Sequence, residues 1–144
     1  VFEKLDASLA KAVMSIGAVK GVEIGDGFQA ATSHGSINND AFTCENGSIS
    51  KLTNHSGGIL GGMSDGSDIV LRAAFKPTPS ISQVQQTVTT TSENIDLSIH
   101  GRHDPIIVPR AVVVVESMVA LTLIDLLFAN MSSRLDKILS FYKR

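Results

Sequence analysis

The stretch Gly57-Gly58-Ile59-Leu60-Gly61-Gly62-Met63, followed by Ser64-Asp65-Gly66-Ser67 and then by Asp68-Ile69-Val70-Leu71-Arg72-Ala73-Ala74-Phe75, decides how this chain is read. Two extended segments around an Asp-Gly turn predict a β-hairpin, because Asp-Gly accepts positive φ at both central turn positions. In the second strand Ile69, Leu71, Ala73 and Phe75 share one face and Arg72 lies on the other. The first strand has four glycines in seven residues, each weakening a strand by about 0.5–1 kcal/mol relative to alanine. Such a strand is kept where something comes close to the backbone, either a packed helix or a ligand.

On the N-terminal side, Phe2, Leu5, Leu9, Val13 and Ile16 recur at helical spacing. The helix has no capping residue before Phe2, and the chain opens on Val1 rather than Met. Processing and excision from a longer protein are both consistent with that start. Residues 18–24 read as a strand, broken by Gly25-Asp26-Gly27. Residues 29–47 are rich in Ser, Asn, Asp, His and Gly and predict a loop with one short extended piece.

On the C-terminal side, residues 77–98 are rich in Thr, Ser and Gln and predict a mobile loop with one strand near residues 95–99. Pro109 suits the first turn of a helix, and residues 110–130 are nearly all apolar. That run matches the hydrocarbon thickness of a membrane, but Glu116 and Asp125 interrupt it on opposite helix faces. The expectation is a helix buried on most sides in a larger protein, with no membrane span. Residues 133–144 predict a basic amphipathic helix with Leu135, Ile138, Leu139 and Tyr142 facing inward and Arg134, Lys137, Lys143 and Arg144 outward.

The chain has 144 residues, 43% hydrophobic and 18% charged, with a formal net charge of −2. It reads as one domain, residues 1–144, able to bury about two-thirds of its unfolded surface. Disorder and a general nucleic-acid footprint are not expected. Aromatics are 5% with no Trp, against a base-stacking platform. A single cysteine, Cys44, excludes an intramolecular disulfide and points to a reducing, cytoplasmic setting.

Gly101-Arg102-His103-Asp104-Pro105 is the sharpest chemical feature. Pro105 pushes Asp104 towards an extended conformation, which sets Arg102 and Asp104 on one side and His103 on the other. Such a pair either recognises an anion or forms a structural ion pair leading into the helix. Lys76 ends a strand before Pro77, Thr78, Pro79 and Ser80, where it either holds a phosphate or stands exposed. His34, His55, His100 and His103 have no metal-ligand spacing, so no metal is expected and the histidines read as loop or surface residues. From spacing alone the chain is a soluble α/β domain with a candidate anion site.

Gly101–Pro105, with Val108-Pro109-Arg110-Ala111-Val112 and Glu116-Ser117-Met118, resembles the C-terminal signature of the chorismate synthase family. Three more stretches match in the family's order: Met14-Ser15-Ile16 with residues 18–28, Gly57-Gly58-Ile59-Leu60-Gly61-Gly62, and Phe75-Lys76-Pro77-Thr78. The resemblance implies an α+β fold, part of a β-α-β sandwich with helices between outer sheets, in a cytoplasmic homotetramer. It implies a lyase of the shikimate pathway, in aromatic amino-acid biosynthesis. That enzyme converts 5-enolpyruvylshikimate 3-phosphate to chorismate and phosphate by anti-1,4-elimination with reduced FMN, and NADP is the associated nucleotide.

Residue by residue, the resemblance makes Gly17, Ala18 and Gly61 flavin contacts, and Lys76, Pro77, Thr78, Pro79 and Ser80 the segment that holds FMN. Arg102 matches an arginine at the flavin and the anionic substrate. Asp104 matches the catalytic carboxylate placed near flavin N5 for proton transfer. Ile106, Val113, Ser56, Pro79 and Gly17 depart from the family pattern, and Pro79 removes a hydroxyl and a backbone donor from the FMN segment. The family chain is more than twice as long, and its histidines and arginines for the substrate lie outside this sequence. The expectation is a C-terminal portion, inactive alone. The alternative is a non-catalytic flavin-binding or assembly module on the same scaffold.

Overall fold

A computed structural model of the chain describes residues 3–143. Val1, Phe2 and Arg144, each named in the sequence reading, lie outside the described residues. The first helix, α1 (Leu5–Met14), buries one stripe: Leu5, Leu9 and Val13, with Leu9 and Val13 fully enclosed. These are the positions that the helical spacing marks. A short turn leads into β1 (Val19–Ile24), a strand rich in β-branched residues as expected.

The loop that follows contains a 3₁₀ turn (Gly27–Thr32), the one-turn α2 (Gly35–Asn38), and a small hairpin of β2 (Phe42–Glu45) and β3 (Ser48–Lys51). β2 is the extended piece that the composition predicts. Next come β4 (Ile59–Leu60), β5 (Met63–Ser64) and β6 (Leu71–Phe75).

The predicted hairpin of residues 57–63 with 68–75 does not form. β4 turns back at once through Gly61-Gly62 to pair with β5. β6 instead pairs antiparallel with β1, from Ile24↔Leu71 to Val19↔Phe75. Periodicity indicates that a strand exists and which face is apolar, but it carries no information about the partner, and β1 presents the better β-forming edge. A remnant of the predicted pairing persists where the Val70 N–H donates to the Gly57 carbonyl at 3.2 Å. The face assignment holds: Leu71, Ala73 and Phe75 are half-buried while Arg72 points outward to Glu23 at 3.0 Å.

Residues 77–98 contain a second hairpin, β7 (Gln85–Val88) with β8 (Asn94–Leu97). The sequence predicts the strand near residues 95–99 but not its partner, whose Gln85, Gln86 and Thr87 form no apolar face. α3 (Val108–Met131) starts at the predicted Pro109. It rests on α1 through Val119, Leu123 and Leu126, which pack against the cluster of Leu5, Leu9 and Ile59. Among the described residues 6% of its most apolar window is buried, and the expected burial in a larger protein concerns surface outside them. By length and composition alone, α3 could also cross a membrane. α4 (Leu135–Tyr142) forms as predicted, but Leu135, Leu139 and Tyr142 remain 50–77% exposed rather than facing inward. All four strand pairs are antiparallel, so the fold is α+β and not the α/β class that spacing alone suggests.

Candidate functional site

One edge of the molecule gathers the α1–β1 turn and the end of β6. The Lys76 N–H donates to the Ala18 carbonyl at 2.7 Å, directly after the Val19↔Phe75 pair. The chain reverses between α1 and β1 in four residues, and Ala18 takes φ +69° to do so. That conformation costs a non-glycine residue about 1–2 kcal/mol. Beside it, Gly17 is exposed and has nothing within 4 Å of where a Cβ would stand. Lys76, Pro77 and Pro79 are exposed, and Thr78 and Ser80 are half-buried. The Thr78 Oγ1 is buried with no hydrogen-bond partner among the described residues. An unsatisfied buried hydroxyl costs about 1–3 kcal/mol, so a group that bonds to it is favoured there.

The loop before α3 comes to the same end. Phe75 and Val108 line one groove of about 300 Å³ between β6 and α3. Lys76 is therefore one residue beyond that groove, and Asp104 four residues before it. Asp104 does not pair with Arg102. Both its oxygens face Arg110, with Nη1 2.8 Å from Oδ2 and Nη2 3.4 Å from Oδ1. A helical side chain leans towards the N-terminus of its helix, which carries Arg110 back over the preceding loop. The pair is exposed and contributes about 0–1 kcal/mol. Arg102 is exposed and forms no ion pair among the described residues.

Gly61 lies elsewhere, at the tip of the β4–β5 hairpin. The Leu5 N–H donates to the Gly62 carbonyl at 2.8 Å, which fixes that tip at the start of α1. α1 has ten residues, so the tip and the Ala18 edge are separated by an axial rise of about 15 Å. The glycines of the stretch differ in their surroundings. A Cβ on Gly57 would stand 2.4 Å from the Gly25 nitrogen, and one on Gly58 2.5 Å from the Asp68 carbonyl oxygen. Gly61 has φ +59° and open space where its Cβ would be. Close packing explains the first two, and only Gly61 leaves room for a ligand.

A buried polar cluster escapes sequence reasoning. The Lys51 ammonium, 4% exposed, lies 2.7 Å from Asp65, 3.0 Å from the Ser56 hydroxyl and 3.5 Å from both Asp40 and Asn54. Asp40, 5% exposed, also accepts bonds from the backbone N–H groups of His55 (2.7 Å) and Ser56 (2.9 Å), and from the Thr53 hydroxyl (2.8 Å). Burial pushes the Asp40 carboxyl up, but these donors outweigh it and hold the group well below the usual carboxylate range. The hydrogen bond between Lys51 and Asp65 raises the lysine and lowers the aspartate. His55, a loop residue as its spacing suggests, is half-buried with Nδ1 3.0 Å from Asp40; His34, His100 and His103 are exposed. No signal in the spacing marks this cluster, because its charged members Asp40, Lys51 and Asp65 lie 11–25 residues apart. Among the described residues no group of His, Cys, Asp or Glu forms a metal site, and Cys44 is exposed and free.

Comparison with known proteins gives a consistent picture. The family model for chorismate synthase matches residues 1–128. A chorismate synthase of Lachnospira eligens is 66% identical over 99% of this chain and 39% of its own length. One from Agathobacter rectalis is 65% identical over the whole chain and 39% of its own length. One from Archaeoglobus fulgidus is 64% identical over 87% of the chain and 35% of its own length. A crystal structure of chorismate synthase superposes with a TM-score of 0.69 at 35% identity, covering 90% of this chain and 32% of that one. The chain thus spans about 39% of the length of the first of these relatives.

Proposed function

This chain belongs to the chorismate synthase family, and on that premise we propose that it supplies the flavin-binding edge of a lyase of full family length. The reaction is the 1,4-anti-elimination of phosphate from 5-enolpyruvylshikimate 3-phosphate, giving chorismate. It serves aromatic amino-acid biosynthesis in a cytoplasmic homotetramer, with NADP as the associated nucleotide. Reduced FMN, when bound, would donate an electron transiently to the substrate and so help phosphate leave.

The residues fit that group. The unsatisfied Thr78 hydroxyl, in the segment assigned to FMN, carries the reading. The open space at Gly61 supports it. Lys76 and Arg102, both exposed cations, would attract the phosphates and carboxylates of cofactor and substrate. Gly17 and Ala18 present backbone at the same edge, and Pro77, Pro79 and Ser80 shape the segment around Thr78. Asp104 would hold and move a proton at its carboxylate, oriented by Arg110. We assign it the catalytic role.

The residues described here provide one side of a site, and the chain alone is expected to be inactive. A non-catalytic flavin-binding or assembly module is the second reading, favoured by the fraction of family length that the chain spans. Titration of FMN fluorescence against the purified protein tests the first reading. Saturable quenching that is lost in Lys76→Ala or Arg102→Ala is expected, and absence of quenching in the unsubstituted protein overturns flavin binding. Turnover by the full-length protein, abolished in Asp104→Ala, separates the enzyme from the module.

A further inference from the structure

We propose that Lys51 is a positioning residue for the cofactor: it clamps the base of the β4–β5 hairpin and thereby sets where Gly61 presents its open face. The proposal rests on the flavin reading above. The hairpin has only two residue pairs, Ile59↔Ser64 and Leu60↔Met63. So short a hairpin has little stability of its own. Its tip is tied to α1 through Gly62, and its base depends on Gly58.

Both polar groups of Gly58 are engaged. Its N–H donates to Asn54 Oδ1 at 2.8 Å, and its carbonyl accepts from the Asp65 N–H at 3.0 Å. Asn54 and Asp65 are both within reach of the Lys51 ammonium, at 3.5 and 2.7 Å. One buried cation therefore orients both residues that fix the hairpin's base. An apolar side chain at position 51 would fill the space without holding either in direction, and a buried ion pair is not explained by stability alone. Lys51 touches no residue assigned to the flavin, so it acts through the hairpin.

The test uses the protein at full family length. Asp65→Asn keeps the shape and the acceptor for the Ser67 N–H while removing the charge that Lys51 meets; Lys51→Met removes the clamp but endangers folding. In Asp65→Asn, amide exchange at residues 59–64 is expected to rise about tenfold. FMN affinity is expected to fall about tenfold, read by fluorescence titration. Val22→Ala, in β1 and outside the cluster that holds Ile59, serves as a control that loosens packing away from the hairpin, and its FMN affinity should stay within about twofold of the parent at a temperature where it is folded. Unchanged exchange and affinity in Asp65→Asn overturn the clamp, as does an equal affinity loss in Val22→Ala. If the unsubstituted protein binds no FMN, the flavin reading and the positioning role built on it both fall. The exchange data then still report whether Lys51 holds the hairpin.

Discussion

In α1, Leu9 and Val13 are wholly enclosed; in α3, the far more apolar helix beside it, Leu121 and Phe128 are each 62% exposed. α1 is amphipathic, and a single stripe against β1, β4 and α3 satisfies it. α3 is apolar well beyond one face, and the described residues half-bury only one stripe of it, from Ala111 and Val115 to Val119, Leu123 and Leu126. Burial thus follows the supply of complementary surface and not the hydropathy of the buried element. A chain that spans about 39% of the length of its relatives has too little such surface for a helix of this kind. We propose that the remaining family length covers α3.

The largest expected effect follows directly from that contrast. Leu9→Ala should cost about 2–5 kcal/mol in denaturant unfolding, while Phe128→Ala in the 144-residue chain should cost less than about 0.5 kcal/mol. Equal costs would break the comparison; a rise in the Phe128 cost to about 3 kcal/mol in the full-length protein would sharpen it.

A smaller contrast separates two glycines of one stretch. Gly57→Ala forces a Cβ against the Gly25 backbone and should cost more than about 2 kcal/mol. Gly61→Ala meets open space and should cost only the positive-φ penalty of about 1 kcal/mol. Thermal melts of both variants decide it, and similar shifts would mean that the surroundings of the two glycines do not differ as described.

Acid titration probes the enclosed Asp40. The unfolded Asp40 carboxyl takes up its proton near its ordinary value of 3.8, while the folded one stays ionised to lower pH. Below about pH 5 the unfolded state therefore binds more protons, and stability falls as pH falls; at higher pH this contribution is complete and constant. Melting temperature should decline from pH 5 to pH 3, with a shallower decline in Asp40→Asn. The smallest expected effect is at Arg110, 80% exposed in its ion pair with Asp104. Arg110→Ala should change stability by less than about 1 kcal/mol, and a larger loss would show that this edge is covered.

Much of the local structure was legible. The recurrence of Leu5, Leu9 and Val13 predicts α1, the β-branched run after Ala18 predicts β1, and Pro109 marks the start of α3. Alternation in β6 predicts which side chains face inward. These features depend on neighbours one to four residues away, which is the range that periodicity reports. Spacing alone singled out Lys76, Arg102 and Asp104 as a candidate anion site, and their assignment to a flavin came only from the resemblance to a family. Their spacing left Arg102 beside Asp104, where the structure puts Arg110.

The sequence by itself determined α1, β1, β6 and α3, the apolar faces of α1 and β6, and the family, because propensity, periodicity and motif are local properties. Only the tertiary structure decided that β6 pairs with β1, that Gly57 and Gly61 are glycines for different reasons, and that Lys51 is enclosed by Asp40, Asp65 and Ser56. Each of these depends on which distant segments meet, and the free energy of such a meeting comes from the surface and charge that both partners bring.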